Sequence, residues 1–371
     1  MTGRAMAGRI VALLRWISAL IAIAGSVCVM AQTLPPPACA GGDQACAARA
    51  LRGHAVTRLG FWAAALAKPL EQRIGVAPPE LVEFLTFDNI ANGLPERPRA
   101  ARLTVDFMHD VQRAFAAIPR EVKQLLATRL AGIYFVESLG GTGYTDVVFD
   151  TADKGVAGYI VLDLGNLKKR SANAWATWKE NTPFARHPDF RLTAEIESPR
   201  LNNRENAIQY ILLHELAHVL SINENFHPPW ATEPKDVQST DGYPFFLLSW
   251  VVDRANNQFA TRFDVSFPQR KDVVYYFGAK LAARHMPATY ANLERTNFAT
   301  LYAVTRPGDD FAEAFASYVH TVLMRKPFAI RIYQRGKLAK VYGACWEEAR
   351  CADKRRILET FLAMPAQAPS R

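Results

Sequence analysis

Apolar side chains recur every three or four residues through the first part of the chain, which is the period of an α-helix. This spacing predicts helices over residues 46–70, 81–90 and 103–117, the first of them alanine-rich. Pro119 begins a further predicted helix that runs through Leu130. We therefore expect residues 32–140 to form a helical N-terminal region.

The pattern changes after residue 140, where β-branched and aromatic residues form short runs. Runs at 147–149 and 159–162 flank a polar, glycine-containing segment at 150–155. Two short β-rich runs around such a segment predict a β-hairpin.

Two more helices are predicted beyond the hairpin. The first begins at Asn202, with Glu205 three residues later as in a capping box, and reaches about Ser221. The second begins near Asp309, after a Pro-Gly pair, and ends before Pro327. With the hairpin, these helices make residues 141–371 a mixed region and the predicted fold class α+β.

The first 31 residues have the layout of a signal peptide. Three arginines precede a strongly apolar stretch at 17–30, and the expected cleavage point lies just before Gln32. The prediction is an exported protein, periplasmic or secreted. The alternative is an uncleaved membrane anchor over residues 10–30, which would be the chain's one contact with a membrane.

Four cysteines follow the leader, and they form two close pairs, Cys39 with Cys46 and Cys345 with Cys351. An even number of cysteines in an exported chain predicts disulfides. Three connectivities are open, and we favour the two local ones because thiols that are close in sequence meet most often.

The net charge is +9, of which the three leader arginines contribute three, so +6 remains on the mature chain. Basic clusters such as residues 168–170 are typical of solvated surface. Nucleic-acid binding is not expected, because no recognition motif accompanies the charge.

The run His214-Glu-Leu-Ala-His218 carries the clearest chemical signal, because it lies on a predicted helix. Residues four apart project from the same face of a helix, so both imidazoles can bind one zinc ion. Glu215 lies about 100° around the helix, by its 3.6-residue period, where it can act as the base for a zinc-bound water.

A catalytic zinc needs a third protein ligand and an open position. Asp309 and Glu313 are the candidates, because they share one face of the second predicted helix. One can bind the metal while the other orients a ligand histidine. The alternative is a capping arrangement, in which Asp309 or Asp310 is the N-cap and the acidic side chains interact with the helix dipole.

With these motifs, the sequence resembles the gluzincins, zinc peptidases that combine His-Glu-x-x-His with a carboxylate from a later helix. Residues 302–312 are similar to a segment of Mlc-titration-factor-like and lethal-factor-like peptidases, in which a Tyr stands seven residues before the ligand carboxylate. The resemblance implies that Asp309 is the third zinc ligand and that Tyr302 stabilises the oxyanion. Glu313 would then support a ligand.

The sequence departs from that family at Asp309, because the family has Glu there and Asp is one methylene shorter. Residues 313–319 also resemble the ligand segment of the aminopeptidase branch of the gluzincins. That match would make Glu313 the zinc ligand and Tyr318 its aromatic neighbour. We prefer Asp309, because the first match also accounts for Tyr302.

The resemblance implies a zincin-like catalytic domain, with a small β-sheet beside the active-site helix and additional helices on both sides in sequence. Such peptidases hold a peptide or protein substrate as an added strand at the sheet edge, and we expect residues 159–162 to be that edge. The implied function is a zinc-dependent endopeptidase with one zinc ion. The alternative is a non-catalytic, zinc-containing envelope protein that binds peptide or cell-wall material.

Overall fold

The computed structural model describes Cys39 and residues 43–364, so the predicted leader lies outside the described residues. The protein is mixed α/β, which is compatible with the predicted α+β class. The described residues contain twelve α-helices: α1 (Gln44–Leu51), α2 (Leu59–Leu66), α3 (Pro79–Ala91), α4 (Val105–Ala116), α5 (Arg120–Leu126), α6 (Leu164–Leu167), α7 (Ala172–Asn181), α8 (Arg204–Ser221), α9 (Pro244–Ser249), α10 (Met286–Leu293), α11 (Pro307–Tyr318) and α12 (Ala352–Leu362).

Ten strands form three sheets in the described part of the chain. The strands are β1 (Ile74–Val76), β2 (Arg99–Ala100), β3 (Leu130–Glu137), β4 (Gly143–Phe149), β5 (Gly155–Asp163), β6 (Phe190–Glu195), β7 (Trp250–Asp253), β8 (Gln258–Thr261), β9 (Ala329–Gln334) and β10 (Lys337–Gly343). The largest sheet has the order β1-β3-β5-β4, with β2 also paired to β3. The other two sheets are β10-β9-β6 and the hairpin β7-β8.

The predicted hairpin is confirmed, because β4 and β5 pair antiparallel from Gly143 opposite Leu162 to Phe149 opposite Gly155. The prediction that residues 159–162 form the sheet edge is wrong. Strand β5 lies between β3 and β4, and β4 is the edge. The physical reason is burial: Ile160 and Leu162 face one core cluster and Tyr159 and Val161 the other, which is the pattern of a central strand.

The largest sheet joins the two regions predicted from the sequence. Strand β3, in the region predicted to be helical, pairs parallel with β5, which lies beyond residue 140. Helix α8 packs against β4 and β5 on one face of this sheet. The helices α1 to α3 contribute to the second core cluster, which covers the opposite face.

The long helix predicted over residues 46–70 is interrupted. Helix α1 ends at Leu51, and Gly53 follows with a φ of 77°, a left-handed conformation that glycine adopts readily and that stops the helix. The predictions for 81–90 and 103–117 are confirmed by α3 and α4. The helix predicted to run through Leu130 ends earlier, because Leu130 begins β3.

Both local disulfides are present, Cys39–Cys46 and Cys345–Cys351, as predicted. They are consistent with an exported protein. Within the described part of the chain, each helix is too short or too polar to cross a bilayer.

Candidate metal centre

Helix α8 carries the two motif histidines. Its N-cap is Asn203, whose side chain accepts a hydrogen bond from the backbone N–H of Asn206, so the predicted start at Asn202 is one residue early. The helix continues to Ser221, as predicted. Most of its residues are buried, but His214 and His218 are only partly buried and remain accessible on one side.

The two imidazoles converge on one point. His214 Nε2 and His218 Nε2 lie 3.2 Å apart, and His218 Nε2 lies 3.6 Å from Asp309 Oδ1. One ligand atom from each of these three residues falls within 4.8 Å of the others. Two nitrogen ligands at about 2.0–2.1 Å from one tetrahedral zinc ion would be about 3.3 Å apart, so this donor set fits zinc.

Helix α11 delivers the carboxylates. Its N-cap is Arg306 and Pro307 is its first residue, so neither Asp309 nor Asp310 is the N-cap, and the capping alternative is wrong in that respect. Both acids still lie in the first turn, where the helix dipole favours negative charge. Because α11 packs directly against α8, the shorter aspartate side chain comes close to His218.

Asp309 is buried and ionised. Thr305 Oγ1 donates a hydrogen bond to its Oδ2 at 2.9 Å, which leaves Oδ1 directed at His218. Burial by itself would raise the pKa of Asp309, but His218, His214 and Arg306 together hold it below its usual range.

Both carboxylate oxygens of Glu313 have partners, and one of them lies next to His214. Its Oε1 lies 2.9 Å from His214 Nδ1 and accepts a hydrogen bond from Lys179 Nζ at 2.7 Å, while Thr300 Oγ1 donates to Oε2 at 2.6 Å. Burial opposes ionisation, yet Lys179 and His214 hold the pKa of Glu313 well below its usual range. Glu313 therefore orients the His214 ring through Nδ1, while Nε2 of the same ring points to His218.

Glu215 lies between α8 and the edge strand β4. Thr145 Oγ1, on β4, donates a hydrogen bond to Glu215 Oε2 at 2.6 Å. Gly143, two residues earlier on the same face of β4, leaves room for the carboxylate, because a Cβ there would lie 2.9 Å from Glu215 Cδ. The edge strand thus holds Glu215 in place.

Some backbone groups of β4 next to Glu215 have no partner in β5. Thr142 O accepts a hydrogen bond from Asp163 N of β5, and backbone groups alternate in direction along an antiparallel strand. The N–H and C=O groups of Gly143 and Thr145 therefore point to the open side of β4, since β4 is the outermost strand among the described residues.

The Tyr302 ring packs next to His214, with 5.5 Å between the two ring centroids. Lys179 Nζ lies 4.6 Å from the centre of the Tyr302 ring, and the Tyr275 ring packs against it at 4.8 Å. Burial, followed by the nearby Asp309 carboxylate, raises the pKa of Tyr302 well above its usual value. Its hydroxyl therefore stays protonated and can donate a hydrogen bond.

The residue named by the competing sequence match lies elsewhere. Tyr318 donates a hydrogen bond to Glu359 at 3.2 Å, and its ring packs on Trp346. Four residues around the centre were missed by sequence reasoning: Thr145, Lys179, Thr300 and Trp230, whose ring lies 5.4 Å from that of His218. None of them stands in a recognisable motif, so the sequence contains no signal that points to them.

No protein-family model matches this chain, and comparison with curated proteins and with solved structures finds no similar protein.

Proposed function

We propose that this chain is a zinc-dependent endopeptidase of the gluzincin type, with a zincin-like arrangement of edge strand and active-site helix, and that it acts after export. The observation that carries the proposal is the position of Glu215. This carboxylate follows the first of two histidines whose Nε2 atoms lie 3.2 Å apart, and it is hydrogen-bonded to the edge strand through Thr145. A peptide paired with β4 would therefore pass directly beside both groups.

His214, His218 and Asp309 would hold the zinc ion, and the three protein ligands leave a position open. When bound, zinc supplies a Lewis acid that lowers the pKa of water and polarises a carbonyl group. Glu313 and Lys179 keep the His214 ring in the orientation that its ligand role requires.

The chain's own residues supply the remaining steps. Glu215, fixed by Thr145, accepts the proton of the attacking water and later transfers it to the departing amine. Tyr302 donates a hydrogen bond to the carbonyl oxygen as negative charge develops on it. The outward backbone groups of Gly143 and Thr145 bind an extended peptide by adding it to the sheet.

The test combines zinc analysis with proteolysis on the purified protein. We expect about one zinc ion per chain and cleavage of an unfolded protein substrate. Glu215→Gln should keep the zinc and lose cleavage. Glu205→Gln, on the same helix but ion-paired with Arg113 at the other end, is the matched control and should behave as wild type.

Ligand variants separate the two acids of α11. Asp309→Ala should lose zinc, whereas Glu313→Gln should retain it with affinity lowered about 10- to 100-fold, the usual cost of losing a group that orients a ligand. If wild-type protein binds zinc but cleaves nothing across a broad peptide library, the peptidase proposal fails. The non-catalytic envelope protein would then be the better explanation.

A further inference from the structure

An open groove of about 1450 Å³ adjoins the candidate centre. Its lining includes Thr142, which precedes Gly143 on the chain, and Tyr276, whose ring packs on Tyr302. It is also lined by residues of α7, among them Trp178, and by Arg186. The groove therefore reaches the chain just before β4, next to the strand with which a peptide would pair.

Aromatic rings connect this groove to the metal centre. The Trp178 and Tyr276 rings lie 5.5 Å apart between centroids, and Tyr276 lies 6.2 Å from Tyr302. Tyr302 in turn lies 5.5 Å from His214. A side chain inserted beside Tyr276 would therefore lie two ring-to-ring contacts from His214.

In the part of the chain that the structure describes, the residues that line the groove carry no negative charge. Among the described residues that line it there is no Asp or Glu; Arg186 is the one lining arginine, and the guanidinium of Arg170 stacks on the Trp178 ring at 4.4 Å. Two further lining residues, Phe184 and Phe190, are aromatic. This surface suits an apolar, aromatic side chain, and Arg186 and Arg170 disfavour a positively charged one.

Tyr276 is held in this position at a conformational cost. Its φ is 69°, and the N–H of Phe277 donates a hydrogen bond to Tyr275 O at 2.9 Å, so Tyr276 is the central residue of a three-residue γ-turn with positive φ. That turn is rare and strained for a residue with a side chain. Tyr275 anchors the turn, because its buried hydroxyl donates to Glu180 Oε2 at 2.9 Å.

Tyr276 is not a core residue, because 39% of its surface is exposed. Strained backbone conformations cluster at active sites and ligand-binding sites. We propose that Tyr276 and Trp178 form a specificity pocket that selects an aromatic substrate side chain close to the scissile bond. The inference rests on the proposed peptidase function and names the class of peptide that it cleaves.

The experiment maps cleavage sites in a peptide library by mass spectrometry. For wild type we expect Phe, Tyr or Trp to be favoured over Ala about tenfold or more at one fixed position near the cleaved bond. Tyr276→Gly and Trp178→Ala should reduce that preference to about twofold while cleavage at other residues continues. Phe277→Ala is the matched control, because Phe277 is exposed and does not line the groove.

Two further measurements do not depend on cleavage. Zinc-loaded Glu215→Gln protein should bind a Phe-containing peptide about tenfold more tightly than its Ala counterpart, and Tyr276→Gly should remove the difference. The Tm of Tyr276→Gly should stay within about 2 °C of wild type or rise, because glycine relieves the positive φ. A residue that serves packing alone would lower it.

The outcomes separate the two proposals. Absence of any cleavage would remove the peptidase function, and the binding comparison would still decide on the pocket. Cleavage without aromatic preference at any position, or an unchanged preference in Tyr276→Gly, would overturn the specificity pocket and leave the peptidase function standing.

Discussion

Gly143→Ala tests whether the edge strand positions the catalytic carboxylate. A Cβ at this position would lie 2.9 Å from Glu215 Cδ, closer still to its Oε1, and 3.2 Å from Leu162 Cδ2. Carbon and oxygen atoms without a bond between them need well over 3 Å, so the carboxylate must retreat by on the order of 1 Å. That movement breaks the 2.6 Å hydrogen bond from Thr145.

The magnitude follows from that displacement. A misplacement of about 1 Å in a reacting group can cost about 100-fold in rate, so kcat/KM should fall by that order. Overpacking between α8 and β4 should also cost about 1–3 kcal/mol of stability. Zinc affinity should stay within about threefold of wild type, because His214, His218 and Asp309 are not touched.

The assay measures kcat/KM on an unfolded protein substrate, zinc content and thermal unfolding in parallel. Gly60→Ala in α2 is the matched control, because nothing lies within 4 Å of a Cβ there and its φ is not positive. It should be stabilised by about 0.5–1 kcal/mol with unchanged activity. If Gly143→Ala keeps activity within threefold of wild type, the edge strand does not position Glu215.

Three further predictions concern Thr145 and two buried acids. Thr145→Val should lower kcat about tenfold with unchanged zinc content, because Glu215 loses one hydrogen bond in the site. Burial, followed by Asp146, raises the pKa of Asp88 to about 7. The folded protein therefore keeps a proton that the unfolded chain releases, so the stabilisation that Asp88 contributes is fully present below about pH 4 and is lost, by on the order of 4 kcal/mol, as the pH rises to about 7. Urea titrations at several pH values should show this component of the pH dependence in wild type and not in Asp88→Asn. Lys354→Met should cost about 3–5 kcal/mol in chemical denaturation, because Asp310 and Lys354 form a fully buried ion pair at 2.5 Å; a loss below 1 kcal/mol would contradict the assignment.

Local patterns were sufficient for the elements that depend on neighbouring residues alone. Helix α8, the β4–β5 hairpin and both disulfides were predicted correctly, because helical period, turn composition and cysteine proximity act over a few residues. The shared helical face of His214 and His218 followed from the same period. Even the interruption after α1 has a local cause in Gly53, which the alanine-rich pattern concealed.

Strand order and the roles of the two acids depended on distant residues. The sequence indicated that Asp309 and Glu313 share a face of α11, but Lys179 from α7 and Thr300 from a loop are what draw Glu313 to the back of His214. The edge of the sheet was misassigned because β3 pairs with the other side of β5, through residues such as Ile133 opposite Ile160 that lie far apart in the chain. The sequence by itself determined the helix with its two histidines and Glu215. The tertiary structure alone decided which strand faces Glu215, because strand pairing and buried ion pairs join residues whose spacing along the chain carries no pattern.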